Sequence, residues 1–181
     1  METFQRYGIT LERLCLDKIE LVRNWRNDPK ISKYMVFQDY ITPEMQLQWF
    51  NKINNERNYY LIAQYNNEDI GLVNIKDIDF KKKCGETGIF IYQDKYLNSD
   101  ISFRVSVCQH DFLFEKLNLE FAYGQVLSDN RRAIRLGKAL GCEFDFAKGG
   151  NIVPVMLTKE SYFNHREKFI KILQFIKNNR F

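Results

Sequence analysis

Long apolar runs are missing from this sequence: no stretch approaches the roughly 18 unbroken apolar residues that a membrane span needs. Its first residues include polar Glu2, Gln5 and Arg6 where a secretory signal requires an apolar run, so a cytoplasmic protein without a membrane partner is expected. Cysteine is sparse. Cys15, Cys84, Cys108 and Cys142 make no C-x-x-C pair and have no histidine partners at metal spacing, which reads as free thiols in a reducing compartment and no metal site. Three prolines and nine glycines exclude collagen-like order and low-complexity disorder. A dominant charge sign is lacking too, since 27 basic and 23 acidic residues leave +4. The tightest basic run, Lys81 to Lys83, reads as a solvated loop between strands, so no nucleic-acid partner is expected.

What the chain has is an ordinary globular composition, 45% hydrophobic, with 15 phenylalanines and 10 tyrosines for a core and cleft walls of aromatic rings. Its length of 181 residues suits one domain, residues 1–181, with no repeat or linker to divide it. Alternation predicts a strand at Ile9 to Leu16, and helical spacing a helix at Lys18 to Asn27, capped by Asp17 and stopped by Asp28 and Pro29. Thr42, Pro43 and Glu44 open a second helix with Leu47, Phe50 and Ile53 as its buried stripe. Tyr59 to Tyr65, Ile70 to Ile78 and Thr87 to Tyr92 read as an antiparallel meander. A helix at Phe103 to Leu117, a strand at Phe121 to Leu127 and a helix at Asp129 to Leu140, closed by Gly141, form a crossover unit. Phe144 to Ala147 and Val153 to Thr158 make a last hairpin around Gly149 and Gly150, and an amphipathic helix follows at about 161–178. The class is α/β (α+β): a mixed, mostly antiparallel central sheet flanked by helices, with an extra C-terminal helix.

Two stretches carry a resemblance. SDNRRAIRLGKALGCEF, Ser128 to Phe144, resembles the strand-end, Asn, helix and Gly-aromatic signature of the GNAT N-acetyltransferases. NWRNDPKISKYM, Asn24 to Met35, followed by ITPEMQLQWF, Ile41 to Phe50, is similar to the RimJ/RimL-type and flagellin-sugar-type members. The resemblance spans about residues 9–158 and implies a GNAT-type fold that moves an acetyl group from acetyl-CoA to a primary amine. It implies a cleft where the parallel strands Thr87 to Tyr92 and Phe121 to Leu127 splay apart. There main-chain groups near Phe90 and Ile91 hold the pantetheine arm and the developing oxyanion, and Phe90 and Tyr92 line the walls. Asn130 matches the family's helix-opening Asn, which can bond the cofactor, with Arg132 near the same rim; capping by Asp129 or Asn130 is the alternative.

The resemblance has gaps. Where members carry Gln/Arg-x-x-Gly-x-Gly/Ala to wrap pyrophosphate, this chain has Leu97, Asn98, Ser99, Asp100, Ile101 and Ser102, with no glycine. Asp100 either repels a polyanion or caps the helix; Ser99 and Ser102 can donate hydroxyls, and Arg104 can act as counter-charge. Gly137 takes the place of the tyrosine that protonates the departing thiolate. Glu86 is the candidate base for the amine, and Tyr123, Ser128 and His110 are candidate acids, each with a structural role as the alternative. Cys108 suggests a covalent route or an inert core thiol. Substrate contacts fall to Trp25, Arg26, Asn27, Tyr34 and Met35, with Arg26 suited to a phosphate or carboxylate and Trp25 to the core.

Family acceptors include the amino group of nucleotide-linked amino sugars and the N-termini of ribosomal proteins; a site of aromatic residues and an arginine fits the sugar slightly better. Two other readings stay open: a catalytically inactive binding protein of the same fold, and a self-associating homodimer joined through Phe163, Phe169, Ile170, Leu173 and Ile176.

Overall fold

The structure, a computed structural model, describes residues 3–97 and 99–178. Eight strands form one sheet in the order β1-β2-β3-β4-β5-β6-β8-β7. They are β1 (Thr3–Arg6), β2 (Ile9–Arg13), β3 (Tyr59–Tyr65), β4 (Glu68–Asp79), β5 (Cys84–Ile91), β6 (Phe121–Leu127), β7 (Glu143–Phe144) and β8 (Ile152–Thr158). Every neighbouring pair is antiparallel except β5 and β6. The β3–β4 hairpin closes through Asn66 and Asn67, both at positive φ (51° and 61°), the backbone a two-residue hairpin turn demands and asparagine tolerates.

The helices are α1 (Ile19–Asn27), α2 (Pro29–Ser32), α3 (Pro43–Ile53), α4 (Asp100–Asp111), α5 (Arg131–Leu140) and α6 (Lys159–Asn178). Side chains alternate along β4, so Leu72 and Val73 serve opposite layers. Val73, Ile75 and Ile91 pack with Val105, Phe112 and Leu113 of α4 and its extension and with Tyr162 of α6. Ile62 and Leu72 pack with Val22 and Trp25 of α1 and Phe50 of α3. Among the described residues no helix is long and apolar enough to cross a membrane.

Several boundaries differ from expectation. The first strand ends at Arg13, because Lys18 N folds back to the Cys15 carbonyl at 3.1 Å and leaves Leu16 56% exposed. Asp17 lies in that turn, and no side chain caps α1. Asp28 and Pro29 do stop α1, but the Asp28 carboxylate accepts from Lys30 N at 2.9 Å and starts α2, with proline at its first position. Thr42 caps α3 through Met45 N at 3.2 Å. The helix is rotated so that Gln46 and Phe50 are buried while Leu47 is 44% exposed. Gln46 is satisfied there, donating to the Ile19 carbonyl at 2.8 Å. The helix expected from Phe103 starts at Asp100 and ends in a π turn, Phe112–Lys116, which buries Phe112, Leu113 and Phe114 together. The last hairpin is shorter than expected: β7 stops at Phe144, and Phe146–Lys148 coil into a 3-10 turn. In α6, Tyr162, Phe163 and Phe169 pack on the chain's own core, and the side chains of Leu173 and Ile176 lie outside the described part.

Candidate active site

The parallel pair is joined for only three residues: Cys84 faces Phe121, Gly85 faces Ala122 and Glu86 faces Tyr123. Beyond them each strand follows its other neighbour. β5 stays registered with β4 as far as Ile91 against Gly71, and β6 with β8 as far as Leu127 against Ile152. A wedge opens between β5 and β6 with its narrow end beside Glu86 and Tyr123. A methyl group at Gly124 would stand 2.9 Å from the Thr87 carbonyl oxygen, so glycine is what lets the strands stay close at the point of parting.

Tyr92 N donates to the Ile70 carbonyl at 2.8 Å, which sets the alternation of the β4–β5 ladder. Phe90 therefore spends its main-chain groups on Leu72 across the ladder, and Ile89 and Ile91 turn theirs toward the wedge. Of the two amides expected at the oxyanion, only that of Ile91 faces the right way. Such unpaired groups are what an amide-bearing pantetheine arm can satisfy. The side chains of Phe90 and Tyr92 pack under α1: Tyr92 stacks on Trp25 at 5.3 Å, and Phe90 meets it edge-on at 6.2 Å.

At the narrow end a cleft of about 680 Å³ is lined by Glu86, Tyr123, Gln125, Glu143, Phe144 and Met156, among others. Glu86 is held by Lys76 Nζ at 3.1 Å, which fixes one carboxylate oxygen and leaves the other to the cleft. Burial, with nearby acidic groups adding to it, pushes the Tyr123 phenol above its ordinary range, so it is a protonated donor at neutral pH. Glu86 and Tyr123 are thus brought together. Ser128 is not: five residues along β6, it lies about 16 Å from Tyr123 by strand rise.

Two other candidates face the core. His110 is buried, its Nδ1 2.7 Å from the Ser106 carbonyl, and burial pulls its basicity down. Cys108 is fully buried and its thiol is pushed up to about 12, chiefly by burial, so a covalent route through it is ruled out. Gly137 has a packing reason: a methyl there would meet the Phe144 ring at 2.6 Å, so α5 rests on that ring where a tyrosine would otherwise project.

At the start of α4 the capping residue is Ser99 and not Asp100; its hydroxyl accepts from Ile101 N at 3.2 Å and donates to the Tyr96 carbonyl at 2.9 Å. Ser102 Oγ donates to the Ser99 carbonyl at 3.3 Å, Ile101 is buried, and Asn98 lies outside the described residues. Asp100 sits in the first turn, paired with Arg104, which also reaches the Tyr7 carbonyl at 3.4 Å. Replacing Asp100 by glycine removes an acid beside the positive helix end and releases Arg104. Calorimetric affinity for CoA should rise about tenfold, and an unchanged affinity would place the pyrophosphate elsewhere.

Asn130 caps α5, its Oδ1 accepting from Ala133 N at 3.1 Å, and Arg132 is exposed on the first turn. In the WRN segment, Trp25 is core and Asn27 is a brace, donating to the Ile41 carbonyl at 2.9 Å and accepting from Ile41 N at 2.8 Å. Tyr34 is exposed and Met35 half-buried. Arg26 differs from all of these. Burial lowers its guanidinium below the ordinary range, its Nε is buried without a partner, and no acidic group pairs with it among the described residues. Asn74 and Lys76 went unremarked in the sequence, although alternate polar residues in the apolar strand IGLVNIKDID mark a polar stripe on one face.

Comparison with known proteins agrees with this geometry. A spermidine N-acetyltransferase from Vibrio cholerae, solved in complex with CoA and spermine, superposes with a TM-score of 0.77 at 18% identity, over 87% of this chain and 99% of that one. A domain from Methanocaldococcus jannaschii DSM 2661 gives 0.71 at 21% identity, over 87% and 99%. At those identities the likeness is one of fold. Acetyltransferase PseH of Campylobacter jejuni subsp. jejuni serotype O:23/36 (strain 81-176) is 28% identical over 121 residues, 66% of this chain and 73% of that protein. The acetyltransferase (GNAT) domain matches residues 9–143, and with the splayed strands in place the chain belongs to that family of acetyltransferases.

Proposed function

We propose that this acetyltransferase moves an acetyl group from acetyl-CoA to the primary amine of an anionic small molecule, a nucleotide-linked amino sugar. Acetyl-CoA supplies the activated acyl thioester. The wedge between β5 and β6 holds the pantetheine arm through the main chain of Ile89 and Ile91, and the pyrophosphate lies toward Ser99 and Ser102, at the start of the helix after β5, and Asn130 and Arg132, at the start of the helix after β6. Glu86 takes the ammonium proton, directly or through water, and Tyr123 returns a proton to the sulfur.

Arg26 carries the acceptor assignment. A desolvated guanidinium with no acidic partner is costly unless a ligand anion completes it, and a phosphate or carboxylate does so with a charge-assisted pair. Replacing Arg26 by methionine should raise KM for a UDP-linked amino sugar about 10- to 100-fold with kcat little changed, in an assay of CoA thiol release by the purified full chain.

A second reading has support of its own: Glu86, Glu143 and Asp145 line the cleft, and acidic walls suit a cationic acceptor. The same assay run with spermidine and with an N-terminal peptide separates the two. Turnover of the nucleotide sugar alone supports the anionic acceptor. Turnover of spermidine or peptide alone contradicts it, and CoA-bound protein with no turnover of any amine marks an inactive binding protein.

A further inference from the structure

On β4, Asn74 stands directly across the ladder from Tyr60 of β3 and Gly88 of β5. The neighbouring row on the same face is Lys76, Glu86 and Tyr123, the last one in which β5 still touches β6. Gly88 therefore lies at the narrow end of the wedge, the first position on this face where β6 has left.

The Asn74 carboxamide reaches over Gly88. A methyl group on Gly88 would stand 2.6 Å from Asn74 Oδ1 and 3.4 Å from its Nδ2, so the missing side chain makes room for that amide. Among the described residues the carboxamide has no hydrogen-bond partner, although it is half-buried beside the cleft. From the opposite face of the sheet, Gln109 of α4 donates through one nitrogen to the Asn74 carbonyl at 2.9 Å and to the Gly88 carbonyl at 3.0 Å. The two residues are thus clamped from below, while a polar group above them is left without a bond. A buried helix residue that spends both amide protons on two strands fixes their relative height and the aim of the Asn74 side chain.

We infer that Asn74 contacts the acyl thioester, its Nδ2–H donating to the carbonyl oxygen, with Gly88 as the clearing that admits it and Gln109 as the residue that positions both. The inference rests on the acetyltransferase reading of the wedge and puts a side-chain donor in the row next to Glu86 and Tyr123, where the Ile91 amide, five residues along β5 from Glu86, does not reach. It also makes the site selective for the loaded cofactor, because free CoA has no carbonyl at this place for the carboxamide to meet.

Calorimetric titration of the full chain with acetyl-CoA and, separately, with CoA tests it through the ratio of the two affinities. Wild-type protein is expected to prefer acetyl-CoA. Asn74→Ala and the nearly isosteric Asn74→Leu should lose about fivefold of that preference with CoA affinity unchanged, as for one neutral hydrogen bond. Gly88→Ala, which displaces the carboxamide without altering its chemistry, should do the same. Thermal melts show which variants are folded, and the folded ones decide. An unchanged ratio in folded Asn74→Leu overturns the proposal and leaves the acetyltransferase reading standing. Failure of the wild type to bind either ligand overturns both.

Discussion

Glu86→Gln should lower the rate of acetyl transfer by about 100- to 1,000-fold while leaving acetyl-CoA affinity within twofold of wild type, the usual scale for losing a general base. The amide keeps the shape of the side chain and its bond to Lys76 but cannot accept a proton. The loss should shrink as pH rises, because more of the acceptor amine is then neutral before it binds. Stability should hardly change: the Lys76–Glu86 pair lies at a partly exposed sheet face, where an ion pair contributes about 1 kcal/mol or less. A rate within threefold of wild type at neutral pH contradicts the assignment and hands proton removal to solvent.

The largest effect on stability belongs to Asp111, which the sequence reading passed over. Its side chain is 0% exposed, at the end of α4. One carboxylate oxygen receives Arg6 Nη1 at 2.8 Å and the Tyr7 hydroxyl at 2.7 Å. The other receives the Tyr162 hydroxyl at 2.6 Å and lies 3.2 Å from Arg166 Nε. One buried acid therefore ties together β1, the turn after it, α4 and α6. Asp111→Ala removes the buried one of the two carboxylates, Asp111 and Glu115, that hold Arg6 and Arg166, and it leaves the Tyr7 hydroxyl without its acceptor and Tyr162 with only the Val107 carbonyl. The expected cost is about 3–5 kcal/mol, read as a fall in Tm of roughly 10 °C or more. A fall of under 3 °C would show that the cluster is not what docks α6. The same cluster makes the wild type sensitive to alkali. Burial, with Asp111 adding to it, pushes the Tyr7 phenol up to about 12. In the unfolded chain it ionises near its ordinary value of 10, so its contribution is complete below pH 10 and is lost as pH rises toward 12.

What could be read ahead of the structure was local. Short aromatic and β-branched runs bounded by turn residues located β3 to β5, and the caps Thr42, Asn130 and Gly141 located the ends of α3 and α5, because those signals depend on residues within a few positions of each other. The parting of β5 and β6 followed from the family resemblance and is visible in a ladder that stops at Glu86 and Tyr123. The misses came from contacts between residues far apart in the chain. Gln46 is buried because the Ile19 carbonyl needs a donor, a demand no helical period reveals. The glycine at 137 is explained only by the Phe144 ring resting on α5. Asp111 draws its partners from residues 6, 7, 162 and 166, and nothing in its own segment marks it. The Asp100–Arg104 pair, by contrast, is an i,i+4 spacing that a reading of charge along α4 would have caught.

Hydrogen–deuterium exchange of the full chain, with and without saturating acetyl-CoA, addresses the wedge itself. If the pantetheine arm bonds the open main chain, exchange should slow in peptides covering residues 87–92 and 124–127, while the β3–β4 hairpin stays as it was. Binding of acetyl-CoA that leaves both segments exchanging at their free rates would mean that the cofactor lies elsewhere and that the parted strands are not its seat.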